Sequence, residues 1–153
     1  MSRLNKYWFI LFVIFSVIGV VVSSILLYTY YFLHISPLFC PENYNILGVD
    51  INCLKVLSSS YSKLFNLPLD FLALIWFIID ISLVTIYNYL KYNIFRILFY
   101  WRLLGLLFIP YLIYTEIMVI NSICIYCTTM QSMIILDFII SIIYSYKNKI
   151  KLI

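Results

Sequence analysis

The residues of this chain best suited to do chemistry are Cys124 and Cys127, in the run Cys124-Ile-Tyr-Cys127. Two cysteines three apart share one face of a helical turn and lie close enough to bridge. The run stands where a long apolar segment begins, so it should open a helix, with Ser122 or Asn121 as the capping residue. A helix start carries partial positive charge, which favours the thiolate, the nucleophilic form of cysteine. The chain's other two cysteines, Cys40 and Cys53, lie together in a polar stretch far upstream. The C-x-x-C spacing alone also suits a metal site. What separates the two uses is where the pairs sit, and that is set by the elements around them.

Those elements belong to a membrane. The chain has 153 residues, of which 65% are hydrophobic and 10% charged, whereas soluble domains carry about 25% charged residues. A chain this apolar needs lipid around it. The formal charge of +4 does not indicate nucleic acid, because the cations flank apolar runs and form no basic stripe.

Four apolar runs are predicted to span, at about 7–32, 68–90, 94–117 and 122–146, giving an all-α bundle treated as one domain over 1–153. The first run is longer than a signal-peptide core and no small-residue cleavage motif follows it, so it reads as an uncleaved helix. Tyr28, Tyr30, Tyr31 and Phe32 form an aromatic belt at its far end, and His34 is assigned to the same belt. The polar stretch 34–67 is the long loop. Within it Leu54, Val56, Leu57, Tyr61, Leu64 and Phe65 recur at helical spacing and predict a short amphipathic segment lying over the bundle. Pro110 is expected to kink the third span. Small-residue crossings are weakly signalled, Gly19 with Ser23 being the nearest approach, so packing should rest mostly on large side chains.

Arg3, Lys6, Lys91, Arg96, Lys147, Lys149 and Lys151 fall on one side, against Lys55 and Lys63 on the other. By the positive-inside rule both termini are expected in the cytoplasm and all four cysteines on the outer, oxidising face. Two cysteine pairs at one face can pass a disulfide between them by thiolate attack, two electrons per exchange. From a helix start near Ser122, Cys127 lies only ~7 Å into the span, a depth that a lipid-soluble acceptor such as a quinone reaches from the bilayer. Static disulfides, an all-thiolate zinc site and buried apolar cysteines are the plainer alternatives. A C-x-x-C bridge pins only a tiny loop, outer-face thiolates tend to oxidise rather than hold zinc, and simple burial explains neither the pairing nor the shared face. No metal site is expected.

Three further runs carry a family resemblance: Cys53-Leu-Lys-Val-Leu-Ser58-Ser59, Phe65-Asn-Leu-Pro68-Leu, and Cys124-Ile-Tyr-Cys127-Thr-Thr129. With them the chain resembles the vitamin K epoxide reductase family and its prokaryotic homologues over essentially its whole length. The resemblance implies a four-helix bundle around a quinone, capped by the outer loop and its short helix. It implies that Cys127 stands beside the quinone and that Cys124 exchanges with Cys53. Cys40 would form the loop disulfide with Cys53 and meet a thioredoxin-fold thiol protein outside. Ser58 or Ser59 matches the family's loop serine, and Ser58, Ser59, Asp70 and Gln131 are the candidate quinone contacts. Two departures stand out. Twelve residues separate Cys40 from Cys53, wider than in the vertebrate enzymes, and Gln131 stands where those enzymes have a tyrosine. Quinone reduction coupled to disulfide formation therefore fits better than reduction of vitamin K epoxide. A non-enzymatic membrane scaffold is the remaining alternative.

Ionisable residues inside spans need their own account. Asp80, Arg102 and Asp137 each fall ~13–15 Å from the nearer helix end at 1.5 Å per residue, one depth on three helices. They are assigned to a structural ionic cluster, with a proton path to the quinone as the competing assignment. Asp70 and Glu116 fall near the outer end and are assigned to the hydrated interface, or else to proton delivery.

Overall fold

The computed structural model describes residues 5–33, 35, 37, 40, 44–46, 49–64, 67–89 and 94–147. Arg3, Lys91, Lys149 and Lys151 of the charge pattern, His34, and Phe65 of the amphipathic segment lie outside the described residues. Helix α1 spans Lys6–Leu27 and continues through a wider π turn, Tyr28–Phe32. Strands β1 (Tyr44–Ile46) and β2 (Val49–Ile51) form an antiparallel hairpin. The short helix α2 (Cys53–Ser58) and a 3-10 turn (Ser60–Ser62) lead into the two-residue strands β3 (Lys63–Leu64) and β4 (Leu67–Pro68). Helix α3 spans Leu69–Tyr89, and α4 spans Phe95–Tyr114 and continues through a π turn, Thr115–Ile120. Strand β5 (Ser122–Ile123) precedes α5, Ile125–Lys147.

Long uninterrupted helices follow from the apolar runs, because only a helix satisfies every backbone polar group within its own segment in lipid. Four of them, Lys6–Phe32, Leu69–Tyr89, Phe95–Ile120 and Ile125–Lys147, are long and apolar enough to cross a membrane. Pro110 lies inside α4 without ending it. The small strands at the loop end were not anticipated from the sequence.

Helix α1 packs most extensively on α3 and then on α5. Its buried stripe is Phe12, Ser16, Gly19, Ser23 and Leu26, at spacings of three and four. Apolar side chains gain little by leaving lipid for a protein interior, so close fit rather than water exclusion holds such helices together. Gly19 supplies that fit, since a Cβ there would land on the ring of Phe77 in α3. Small-residue packing thus matters more than the sequence suggested. Two cores result. Phe12, Val84, Tyr87, Phe95, Leu98 and Tyr144 form one. Leu26, Cys53, Val56, Leu57, Phe77, Cys124 and Met130 form the other, at the loop end.

Candidate active site

The polypeptide brings its two cysteine pairs together with a parallel strand pair. Asp50 pairs with Ser122 and Ile51 with Ile123, so the residues that follow, Asn52 and Cys124, stand side by side. The Asn52 N–H extends the ladder to the Ile123 carbonyl at 3.2 Å. Cys53 starts α2 one residue later, and the Asn52 side chain caps that helix by accepting from the Lys55 N–H at 2.9 Å. Cys53 is bridged to Cys40, with Cα atoms 6.2 Å apart. Cys124 and Cys127 are free thiols. Cys53 and Cys124 are sealed in the same buried cluster, while Cys40 and Cys127 pack at its edge.

The start of α5 differs from expectation. Ser122 does not cap it, its buried hydroxyl having no hydrogen-bond partner among the described residues. Asn121 takes the left-handed conformation (φ 52°) that terminates the preceding π turn, and Ser122 is consumed by strand β5. Cys124 itself holds the capping position: its carbonyl accepts from the Thr128 N–H at 2.9 Å and its Sγ accepts from the Cys127 N–H at 3.4 Å.

Cys127 opens onto a cavity of about 80 Å³. Its walls come from α2 and the turn after it, the start of α3, the end of α4 and the first turns of α5. Of the residues singled out in the sequence, Ser59, Asp70 and Gln131 line it with Cys127. Ser58 does not: it is exposed and donates to the Lys55 carbonyl at 3.4 Å. Ser58 is the last residue of α2, whereas Ser59 is its extended C-cap, so the two side chains leave the backbone in different directions. Glu116 also lines the cavity, and Asp70 and Glu116 are buried rather than set in a hydrated interface. Thr115 and Glu116, the first two residues of the π turn after α4, are both buried.

Hydrogen-bond accounting narrows what the walls can donate. Ser59 Oγ donates to Val56 O at 2.8 Å, Ser62 Oγ to Leu57 O at 2.7 Å, and Thr115 Oγ1 to Leu112 O at 2.8 Å. A hydroxyl has one proton to give, so these three are already committed. Gln131 Nε2 donates one of its two hydrogens to Glu116 Oε1 at 3.1 Å, which leaves the other for a guest.

Asp80, Arg102 and Asp137 meet in the bundle interior, fully buried, and none of them lines the cavity. Arg102 grips Asp80 with two parallel bonds, Nε to Oδ1 and Nη2 to Oδ2, both 2.9 Å. Asp137 Oδ1 stands 4.0 Å from Nη2. Ser16 Oγ donates to Asp80 Oδ2 at 2.8 Å, Ser141 Oγ to the Asp137 carbonyl at 2.9 Å, and the Phe12 ring covers the guanidinium at 4.1 Å. Ser16 and Ser141 were missed in the sequence. Their signal was positional, since Ser16 lies on the small-residue stripe of α1 and Ser141 one turn beyond Asp137. Among the described residues no group of three or more His, Cys, Asp or Glu could hold a metal ion.

No curated protein matches the chain. Residues 10–142, nearly the whole chain, match the profile described as the Vitamin K epoxide reductase family. That family accounts for a membrane bundle of helices, and its members are oxidoreductases that use quinones. This protein belongs to the vitamin K epoxide reductase family.

Proposed function

We propose that this protein is a membrane thiol–disulfide oxidoreductase that carries electrons from the thiols of a partner protein, through Cys40–Cys53 and then Cys124–Cys127, to a membrane quinone. The observation that carries the proposal is the split character of the C-x-x-C. Cys124 is sealed in one cluster with Cys53, whereas Cys127 opens onto the cavity.

Each transfer is a thiolate–disulfide exchange. Partner thiols reduce the Cys40–Cys53 bridge. The Cys53 thiolate attacks Cys124 of an oxidised Cys124–Cys127 pair, forming a Cys53–Cys124 bond and releasing Cys127 as a thiolate into the cavity. Cys40 then attacks Cys53, restoring the loop bridge and leaving both electrons on the helix pair. A bridged loop pair with a free helix pair corresponds to the state after this exchange.

The cavity suits a quinone. Its walls are mainly apolar, with Leu57, Leu69, Ala73, Leu112, Met130 and Ile134 against the ring, and the uncommitted amide hydrogen of Gln131 is available to a carbonyl. A quinone held there supplies the two-electron acceptor. Residues 1–153 act as one membrane domain with both termini in the cytoplasm and the cysteines on the outer face. The partner is a thioredoxin-fold protein, which the polar outer loop meets from water. The Asp80–Arg102–Asp137 cluster pins three helices and takes no part in the chemistry.

The test is quinone reduction by purified protein with a dithiol donor. Wild type should turn over, Cys127→Ser should not, and Cys53→Ser should keep turnover with a small dithiol but lose it with a protein donor. Absence of quinone reduction in wild type, with both variants folded and indistinguishable from it, overturns the assignment in favour of structural cysteines.

A further inference from the structure

Asp70 and Glu116 are carboxyl groups that the exchange steps above do not use. They come from different helices, Asp70 from the first turn of α3 and Glu116 from the π turn after α4. Only 5% and 7% of their surfaces are exposed, and both line the cavity onto which Cys127 opens. Among the described residues no hydrogen bond or ion pair reaches the Asp70 carboxyl, so it faces the cavity without a partner. Glu116 is held from one side only, its Oε1 accepting from Gln131. A carboxyl withdrawn from water into an apolar bundle costs several kcal/mol as the bare anion unless paired. Ionisable groups kept inside membrane helices mark pathways for ions or protons.

The chemistry at Cys127 needs such groups. Closing a disulfide from two thiols releases two protons, and reducing a quinone consumes two. The serine and threonine hydroxyls on the walls do not relay them, because Ser59, Ser62 and Thr115 have their protons committed to helix carbonyls. The Gln131 amide can donate a hydrogen bond but does not exchange its proton on the timescale of turnover.

We propose that Asp70 and Glu116 are the proton carriers of this site, taking the protons released as the Cys124–Cys127 disulfide closes and delivering them to the two oxygens of the bound acceptor. This rests on the quinone-reductase assignment. Two S–H bonds break and one S–S bond forms. Two electrons pass to the acceptor and its two carbonyl oxygens gain O–H bonds. Each carboxyl finishes with the protons it began with. Asp70, free of partners, presents either oxygen to the guest. Glu116 keeps Oε1 on Gln131 and works through Oε2, so Gln131 orients both the acceptor and its proton source.

The experiment compares wild type, Asp70→Asn, Glu116→Gln and the double variant, with dithiothreitol as donor and a short-tailed ubiquinone analogue as acceptor. General acid–base catalysis contributes about 10²–10⁴-fold, so the double variant should lose about a hundredfold or more in turnover and each single variant at least about tenfold. Exchange between Cys53 and Cys124, read by thiol alkylation, should be unchanged in all of them. Infrared difference spectra of dithiol-reduced wild type should show a protonated-carboxyl C=O band that shifts when the analogue is added, moves in heavy water, and is lost in the double variant. The wild-type spectrum requires no variant to fold. An active wild type with a double variant at more than about half its turnover, or a wild-type spectrum with no carboxyl change, overturns the relay alone. A wild type that exchanges thiols but reduces no quinone overturns the underlying assignment and the relay with it.

Discussion

The Cys127 backbone N–H donates to the Cys124 sulfur at 3.4 Å, so the first cysteine caps the helix that carries the second. The two sulfurs are therefore unequal. Cys124 sits at the start of α5, sealed in one buried cluster with Cys53. Cys127 faces the cavity.

Their inequality predicts which mixed disulfide can be trapped. Cys40→Ser should accumulate a Cys53–Cys124 bond, because the sulfur that would attack Cys53 and resolve it is gone. Cys124→Ser should yield no loop-to-helix linkage. Peptide mapping of unreduced protein by mass spectrometry reads this directly, and a Cys53–Cys127 linkage in the Cys124→Ser protein would reverse the assigned roles.

Asn52 makes the junction between the two pairs. Asn52→Ala removes the cap on Lys55 N–H, at a cost of about 1 kcal/mol to α2, while the ladder bond from its backbone to Ile123 survives. Exchange between Cys53 and Cys124 should slow several-fold, roughly what 1 kcal/mol corresponds to, and Asn52→Asp should restore it. Stopped-flow alkylation measures the rate. An unchanged rate in the alanine variant means that the ladder alone positions Cys53.

At Gly19 the prediction concerns assembly. Gly19→Ala places a methyl on the Phe77 ring, and overpacking of this kind costs about 1–3 kcal/mol. The detergent-solubilised midpoint temperature should fall and recover in Gly19→Ala/Phe77→Leu. Failure of the second change to recover it would locate the strain elsewhere.

Arg102→Met should be the most damaging single change in the far half of the bundle. It strands two buried carboxylates, and breaking a buried pair costs about 3–5 kcal/mol. Yield and midpoint should drop sharply, with turnover per folded molecule preserved. Full stability with lost turnover would instead assign the cluster to the chemistry.

Hydropathy and charge vary along one dimension, and what depends on them was legible in the sequence: four spans, a polar loop, and three ionisable residues at one depth. The strand pair that joins Asn52 to Cys124 was not, because β2 and β5 have three and two residues and so short a run shows no period. Capping rules favoured Ser122 and Asn121, but those residues were spent on ending one element and pairing another. Glu116 reads as an interfacial residue from its place near the end of a span, whereas the packed structure buries it. Which of Ser58 and Ser59 meets the cavity, and where each hydroxyl proton goes, are properties of packed geometry that no spacing encodes.

Cys124 lies between the last residue of β5 and the first of α5. It is the seam between two mechanical bodies, the small sheet of the loop end and the long helix of the bundle. Its backbone continues strand β5, while its carbonyl and sulfur are held by the Thr128 and Cys127 N–H groups of the helix. In the proposed relay, a protein that docks on the loop would meet, at this one residue, both the small sheet of the loop end and the helix that carries Cys127.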